Sequence, residues 1–275
     1  TVRTIAAAGQ SRRVKVGGVP QVASSRVLYA PTDPIGTLDS TQKVALLEKV
    51  ERLARAKDPR IVQVMAGLAA EHDVVMVARG DLGVEIGDAE LPGLQKKIIR
   101  ESLERSRVVI TATQMMQSMV ESPIPTRAEV LDVANAVIDG TDAVMLSQET
   151  ASGKHPEKAV AAMRRVCLGA ERQFEPPIDM GPSTRVLDRT DQAIALASMF
   201  LAGRVGVRAI VALTESGATA RWLSRHRSSV PIYALSRNAA ARRRMLLFRD
   251  VYPIEFDPHD VGPMQAAREA IQHLF

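Results

Sequence analysis

The chain has 275 residues, 46% hydrophobic and 24% charged, which provides apolar material for about two domains with a sizeable core. Its formal charge of +5 favours anionic partners such as phosphorylated metabolites without choosing among them. Cys167 is the only cysteine, which excludes an intrachain disulfide, and no apolar run approaches the ~20 residues of a membrane span.

The first residues lack the apolar core of a signal peptide, so a cytoplasmic protein with no membrane partner is expected. Residues 1 to about 38 are rich in Gly, Pro, Ser and Arg and predict loop, with one strand over Val27-Leu28-Tyr29-Ala30. Asp39 with Gln42 three residues on predicts a helix start, and Val44, Leu47, Val50, Leu53 and Ala54 continue it at helical spacing. Residues 61–68 predict a strand and 71–73 a turn. From there the pattern is regular. Three short apolar runs, 74–78, 108–112 and 143–146, have centres near 76, 110 and 144, 34 residues apart. Helical stretches over 94–105 and 127–138 separate them. Buried strands alternating with helices at this period predict part of a (β/α) barrel of the TIM type, which needs eight such units; three are visible. A Pro- and Gly-containing linker at 174–183 leads to a second α/β pattern. It has helices at 190–203, from about Thr219, at 239–248 and at the end, and strands at 209–213, 231–235 and 251–256. The predicted division is an N-terminal segment 1–72, a partial barrel 73–175 and a smaller open-sheet α/β domain 184–275. The Arg242-Arg243-Arg244 run has no interleaved aromatics, so it predicts a solvated helix face and no nucleic-acid partner.

In parallel barrels chemistry gathers on the loops that follow the strands. The three runs here end in Arg79-Gly80-Asp81, Thr113-Gln114 and Ser147-Gln148-Glu149. Gly80 lets a ligand approach the backbone, and Asp81 offers a hard oxygen to Mg²⁺. Thr113 and Ser147 offer hydroxyls, and Glu149 a charge. Each alone reads more readily as a helix cap; three strand ends in register shift the balance toward a site. Thr214-Glu215-Ser216-Gly217-Ala218-Thr219 joins a strand to a helix and fits either a phosphate or a plain Ser/Thr cap.

The motifs Met76-Val77-Ala78-Arg79-Gly80-Asp81-Leu82-Gly83-Val84-Glu85, Ala112-Thr113-Gln114-Met115, Pro125-Thr126-Arg127-Ala128-Glu129, Asp132-Val133-Ala134-Asn135-Ala136-Val137 and Met145-Leu146-Ser147-Gln148-Glu149-Thr150-Ala151 occur in that order. Together they resemble pyruvate kinase. The resemblance covers roughly 73 to 275 and implies phosphoryl transfer from phosphoenolpyruvate to ADP with Mg²⁺. It implies that the backbone of Gly80 and Asp81 holds the phosphoenolpyruvate carboxylate and that the Asp81 side chain binds the metal. By the same resemblance Thr113 touches substrate, Ser147 and Glu149 lie near a proton relay, and Arg127 sits at a subunit contact in a homo-oligomer. Thr214, Glu215, Ser216, Gly217 and Thr219 would then form an allosteric sugar-phosphate site.

The chain departs from the family in three respects. The family carries a Lys-Ile-Glu strand end, with a phosphoryl-stabilising Lys and a second metal-binding Glu, and no Lys-Ile-Glu tripeptide precedes Asp73. Its Asn/Ser/Asp potassium loop and inserted lid domain are not found, and the small domain stops before the family's last two strands. Residues 1 to about 78 resemble instead a TldD-type modulator-of-gyrase metallopeptidase segment, through Leu28-Tyr29-Ala30, Asp33-Pro34, the helix 43–56 and Asp58-Pro59-Arg60-Ile61-Val62-Gln63-Val64. None of the five histidines precedes Glu as that family's zinc motif requires, so no zinc is expected. The expectation is therefore a pyruvate kinase-like polypeptide whose site is incomplete, with an inactive fusion or a peptidase fragment as alternatives. The strand 74–78 is expected to run parallel to 108–112 and to pair antiparallel with 61–68 in a mixed sheet. The open edge is expected to be covered by the first 70 residues or by a second copy.

Overall fold

The computed structural model describes residues 3–6, 74–173 and, apart from 188, 227, 229, 259 and 260, residues 187–274. The strand expected at 27–30, the helix from 39, the strand at 61–68 and the whole linker 174–183 lie outside the described residues. The chain forms two compact units, Val2–Ala170 and Glu171–Phe275, with Thr1 grouped with the second.

The first unit holds four parallel strands: β1 (Arg3–Ala6), β2 (Val74–Ala78), β3 (Val108–Ala112) and β4 (Ala143–Leu146). Their order is β1-β4-β3-β2, so the first strand lies beside the last, as it does where a parallel barrel closes. The composition of residues 1 to about 38 predicts loop there, whereas β1 forms at 3–6 and covers the outer edge of β4. Every strand pairing among the described residues is parallel. The antiparallel partner expected at 61–68 falls outside them.

Val75 and Val77 of β2 and Val109 of β3 pack with Ile98 and Ile99. Those two belong to α2 (Leu91–Glu104), which follows α1 (Arg79–Ile86). Behind β4, Val144 and Leu146 join Val133, Ala136 and Val137 of α3 (Arg127–Asp139) and Ala159, Ala162, Met163 and Cys167 of α5 (Pro156–Gln173), with a short α4 (Gln148–Ala151) between. Small Ala side chains on α5 let it lie close, and three methionines, Met115, Met116 and Met119, fill the space between β3 and α3. Thr126 caps α3 in a reciprocal capping box with Glu129, and Gly140 ends it in the left-handed conformation.

The second unit has a three-stranded parallel sheet, β5 (Ile210–Leu213), β6 (Ile232–Ser236) and β7 (Val251–Glu255), in that order. Around it are α6 (Thr190–Val205), α7 (Ala218–Ser224), α8 (Ala239–Met245) and α9 (Pro263–Leu274). Gly217, φ 86°, turns the chain from β5 into α7 where an added Cβ would lie 2.9 Å from Met245 Cγ. Both the dihedral and the space require glycine here.

Candidate active site at three strand ends

The register sets Ala78 against Ala112 and Ala112 against Met145, so the segments following β2, β3 and β4 leave the sheet at one level. Each then turns into helical structure, and hydrogen bonds tie the three turns together.

The strand β2 passes straight into α1 with Ala78 at the cap position and no side chain capping it. One N–H of that first turn is used: the Gly80 amide donates to Thr113 Oγ1 at 2.7 Å. Since the hydroxyl oxygen accepts there, its own hydrogen is directed elsewhere. A Cβ on Gly80 would meet Thr113 at ordinary contact distances, Oγ1 at 3.5 Å and Cβ at 3.8 Å. Asp81 is exposed in the first turn of α1.

The strand β3 ends in two successive non-glycine residues with left-handed backbone, Thr113 (φ 65°) and Gln114 (φ 53°). Arg79, only 6% exposed, holds both. Its Nε and Nη2 donate to the Thr113 carbonyl at 3.2 and 2.8 Å, Nη2 donates to the Gln114 carbonyl at 2.9 Å, and Nη1 pairs with Asp132 of α3. This clamp is not legible in the sequence, because a buried arginine looks like any other and its acceptors are main-chain carbonyls.

After β4, Glu149 is fully buried. One carboxylate oxygen accepts the Met116 amide at 3.1 Å; the other accepts the Ser147 amide at 2.8 Å, with the Ser147 hydroxyl at 3.4 Å. The carboxylate thus bolts the β4 turn to the β3 loop. Below them Glu129 accepts the Ser118 amide and hydroxyl as well as the Thr126 amide and hydroxyl. Burial pushes the Glu129 carboxyl up, but these four hydrogen bonds outweigh it and hold the group below the usual carboxylate range. Arg127 is exposed at the first position of α3.

In the second unit Thr214 Oγ1 accepts the Gly217 amide at 3.0 Å and Ser216 Oγ accepts the Ala218 amide at 3.4 Å, so two hydroxyls close the loop on itself. Glu215 pairs with Arg237 of the neighbouring β6 loop, and Thr219 is exposed on α7. The run Arg242-Arg243-Arg244 lies on α8 with Arg243 and Arg244 exposed, as expected, whereas Arg242 pairs with Glu255.

The parallel sheet with polar groups converging at its C-terminal edge, followed by a second parallel α/β unit, defines a barrel-type α/β protein with a separate smaller domain. Residues 37–160 match the pyruvate kinase barrel domain and residues 192–275 the pyruvate kinase alpha/beta domain. The chain is 50% identical over 230 residues to pyruvate kinase II of Salmonella typhimurium, covering 83% of this chain and 47% of that protein. It is 50% identical over 206 residues to pyruvate kinase of Haemophilus influenzae, covering 74% and 43%. A solved pyruvate kinase from Cryptosporidium parvum superposes with a TM-score of 0.73 at 37% identity, over 77% of this chain and 44% of that one. The chain belongs to the pyruvate kinase family. It spans just under half the length of the relatives named.

The barrel-domain match begins at residue 37, inside the segment that resembled a peptidase. That resemblance gains no support, nor do the peptidase and inactive-fusion readings built on it. Among the described residues no group of three or more His, Cys, Asp or Glu side chains is placed to hold a metal ion. The matched segment also contains a Lys-x-Glu tripeptide, Lys49-Val50-Glu51, within the stretch 39–56 whose spacing predicts a helix. It lies outside the described residues.

Proposed function

We propose that the chain takes part in the pyruvate kinase reaction, with phosphoenolpyruvate and ADP as substrates, and that the strand ends of 73–175 face the substrate. The observation that carries this reading is the joining of three strand ends by Gly80–Thr113 and Glu149–Met116 contacts into one edge. Thr113 has its hydroxyl oxygen occupied by the Gly80 amide, which leaves the proton to be offered to substrate. Gly80 itself is a poor helix residue, and its surroundings in the chain would accommodate a Cβ, so its reason is a ligand approaching from outside. For the carboxylate of phosphoenolpyruvate to take the Gly80 amide, that amide must be shared with Thr113. The first turn of α1, with no capping side chain, favours an anion there.

Mg²⁺ fits this edge. The ion keeps most of its waters and takes one or two carboxylates plus substrate oxygens, so exposed Asp81 needs few companions. We propose Glu51 as the second carboxylate and Lys49 as the phosphoryl-stabilising group, on their Lys-x-Glu spacing alone. The metal, when bound, offsets the negative charge gathered on the transferring phosphoryl. Both Glu149 oxygens are engaged by backbone N–H groups, an arrangement suited to fixing Ser147 in place rather than to delivering a proton directly. Arg127, exposed beside this edge on α3, is proposed to contact a second copy in a homo-oligomer. The Thr214–Thr219 loop is a candidate for a sugar phosphate, although two of its hydroxyls already satisfy its own amides.

The test is calorimetric titration of the chain with phosphoenolpyruvate with and without Mg²⁺. Binding should strengthen at least tenfold with the metal, and Asp81→Asn should remove that gain. Binding that ignores both the metal and the substitution would sink the reading.

A further inference from the structure

We infer that Arg79 is a positioning residue for Thr113, acting through the backbone of the β3 loop. The inference rests on the reading of Thr113 as a substrate-facing hydroxyl. Two consecutive non-glycine residues in the left-handed region are unfavourable, each at about 1–2 kcal/mol, and persist only where the surroundings impose them. Arg79 supplies that restraint. Of its side-chain contacts three go to the carbonyls of those same two residues, and the fourth is the ion pair with Asp132 that fixes the guanidinium plane.

The next residue closes the arrangement. Gly80 donates its amide to the Thr113 hydroxyl, so adjacent residues of one segment grip Thr113 by its carbonyl and by its side chain. Main-chain torsion and side-chain rotamer are set together, and the hydroxyl proton is directed away from the Gly80 amide. A planar fork can reach two successive carbonyls and a carboxylate at once, whereas a lysine ammonium is a point donor on a flexible stem. Charge alone therefore cannot replace Arg79. An ordinary buried ion pair would be indifferent to this geometry, which separates positioning from plain stabilisation.

The distinguishing variant is Arg79→Lys in the full chain, with two readouts. In ¹³C NMR of threonine-labelled protein, the Thr113 Cα and Cβ shifts should move away from left-handed values. In calorimetry, affinity for phosphoenolpyruvate with Mg²⁺ should fall at least tenfold. Asp132→Asn, which keeps a neutral acceptor for the guanidinium, should fall less than fivefold, and it serves as the test if the lysine variant does not fold. Adding Gln114→Gly to Arg79→Lys removes one left-handed penalty and should recover part of the affinity. Unchanged Thr113 shifts, unchanged affinity despite shifted resonances, or no recovery with glycine would each overturn the inference. A wild-type chain that binds no phosphoenolpyruvate defeats the functional reading itself, whereas wild-type binding that Arg79→Lys leaves intact defeats the positioning role alone.

Discussion

Replacing Glu149 by Gln keeps the shape of the bolt between the β3 loop and the β4 turn but changes what it accepts. Two backbone amides, Met116 and Ser147, each point at a carboxylate oxygen in a fully buried setting. Glutamine offers one oxygen and one NH₂ group, so one amide loses its acceptor and faces another donor. A charge-assisted hydrogen bond is worth about 1.5–3 kcal/mol, and a buried unsatisfied donor costs about 1–3 kcal/mol more. A loss of about 3 kcal/mol follows. With a urea slope of about 1–3 kcal/mol per molar, the midpoint of the unit Val2–Ala170, followed by far-UV circular dichroism, should drop by about 1–3 M. Ser147→Ala removes only the 3.4 Å hydroxyl contact and should cost less than about 0.5 kcal/mol. If Glu149→Gln falls within about 1 kcal/mol of the parent, or if Ser147→Ala costs as much, the carboxylate does not act through the two amides.

The single tryptophan, Trp222, lies on α7 and reports the second unit separately. Gly217→Ala should lower the stability read from its fluorescence by about 2 kcal/mol or more, from the left-handed φ and the 2.9 Å approach to Met245; a loss below about 0.5 kcal/mol would contradict the geometry. Burial, then the charges of Arg225 and Arg249, hold the His226 pKa below its ordinary 6.5. The unfolded chain therefore binds more protons below that pH, and stability present above about 6.5 is lost as the pH falls toward the folded value. The slope should not exceed about 1.4 kcal/mol per pH unit, and His226→Gln should flatten it in a urea series from pH 7.5 to 5.5. Glu51→Gln should weaken Mg²⁺-dependent phosphoenolpyruvate binding as Asp81→Asn does; retained metal dependence would remove Glu51 from the metal site.

Much of the sheet was readable beforehand because its strands are buried. The runs 74–78, 108–112 and 143–146 coincide with β2, β3 and β4, and Val109, Ala112, Val144 and Leu146 are fully enclosed. The helix α5 was missed for the opposite reason. Its inner face is largely Ala159, Ala162 and Ala170, whose small side chains give a faint periodicity among many charges. The start of α1 at Arg79 had no capping residue to announce it. At the site, Gly80, Thr113, Ser147 and Glu149 were singled out as polar groups at strand ends. What joins them was not visible, because left-handed Thr113 and Gln114 carry no glycine and the partners of Arg79 and Glu149 are main-chain groups.

The pairing of β1 with β4 sets a timetable for synthesis. Arg3 pairs with Ala143, a separation of 140 residues, whereas β2 and β3 are only 34 apart. Closing the longer loop adds roughly 1 kcal/mol of chain entropy over the shorter one by logarithmic scaling, so β1 gains its place late. A ribosome adding about 5–20 residues per second exposes β1 for roughly 10–30 seconds before its partner strand exists. Through that interval the edge of this four-residue strand that β4 later takes stays open, so its donors and acceptors there are available to any other extended segment.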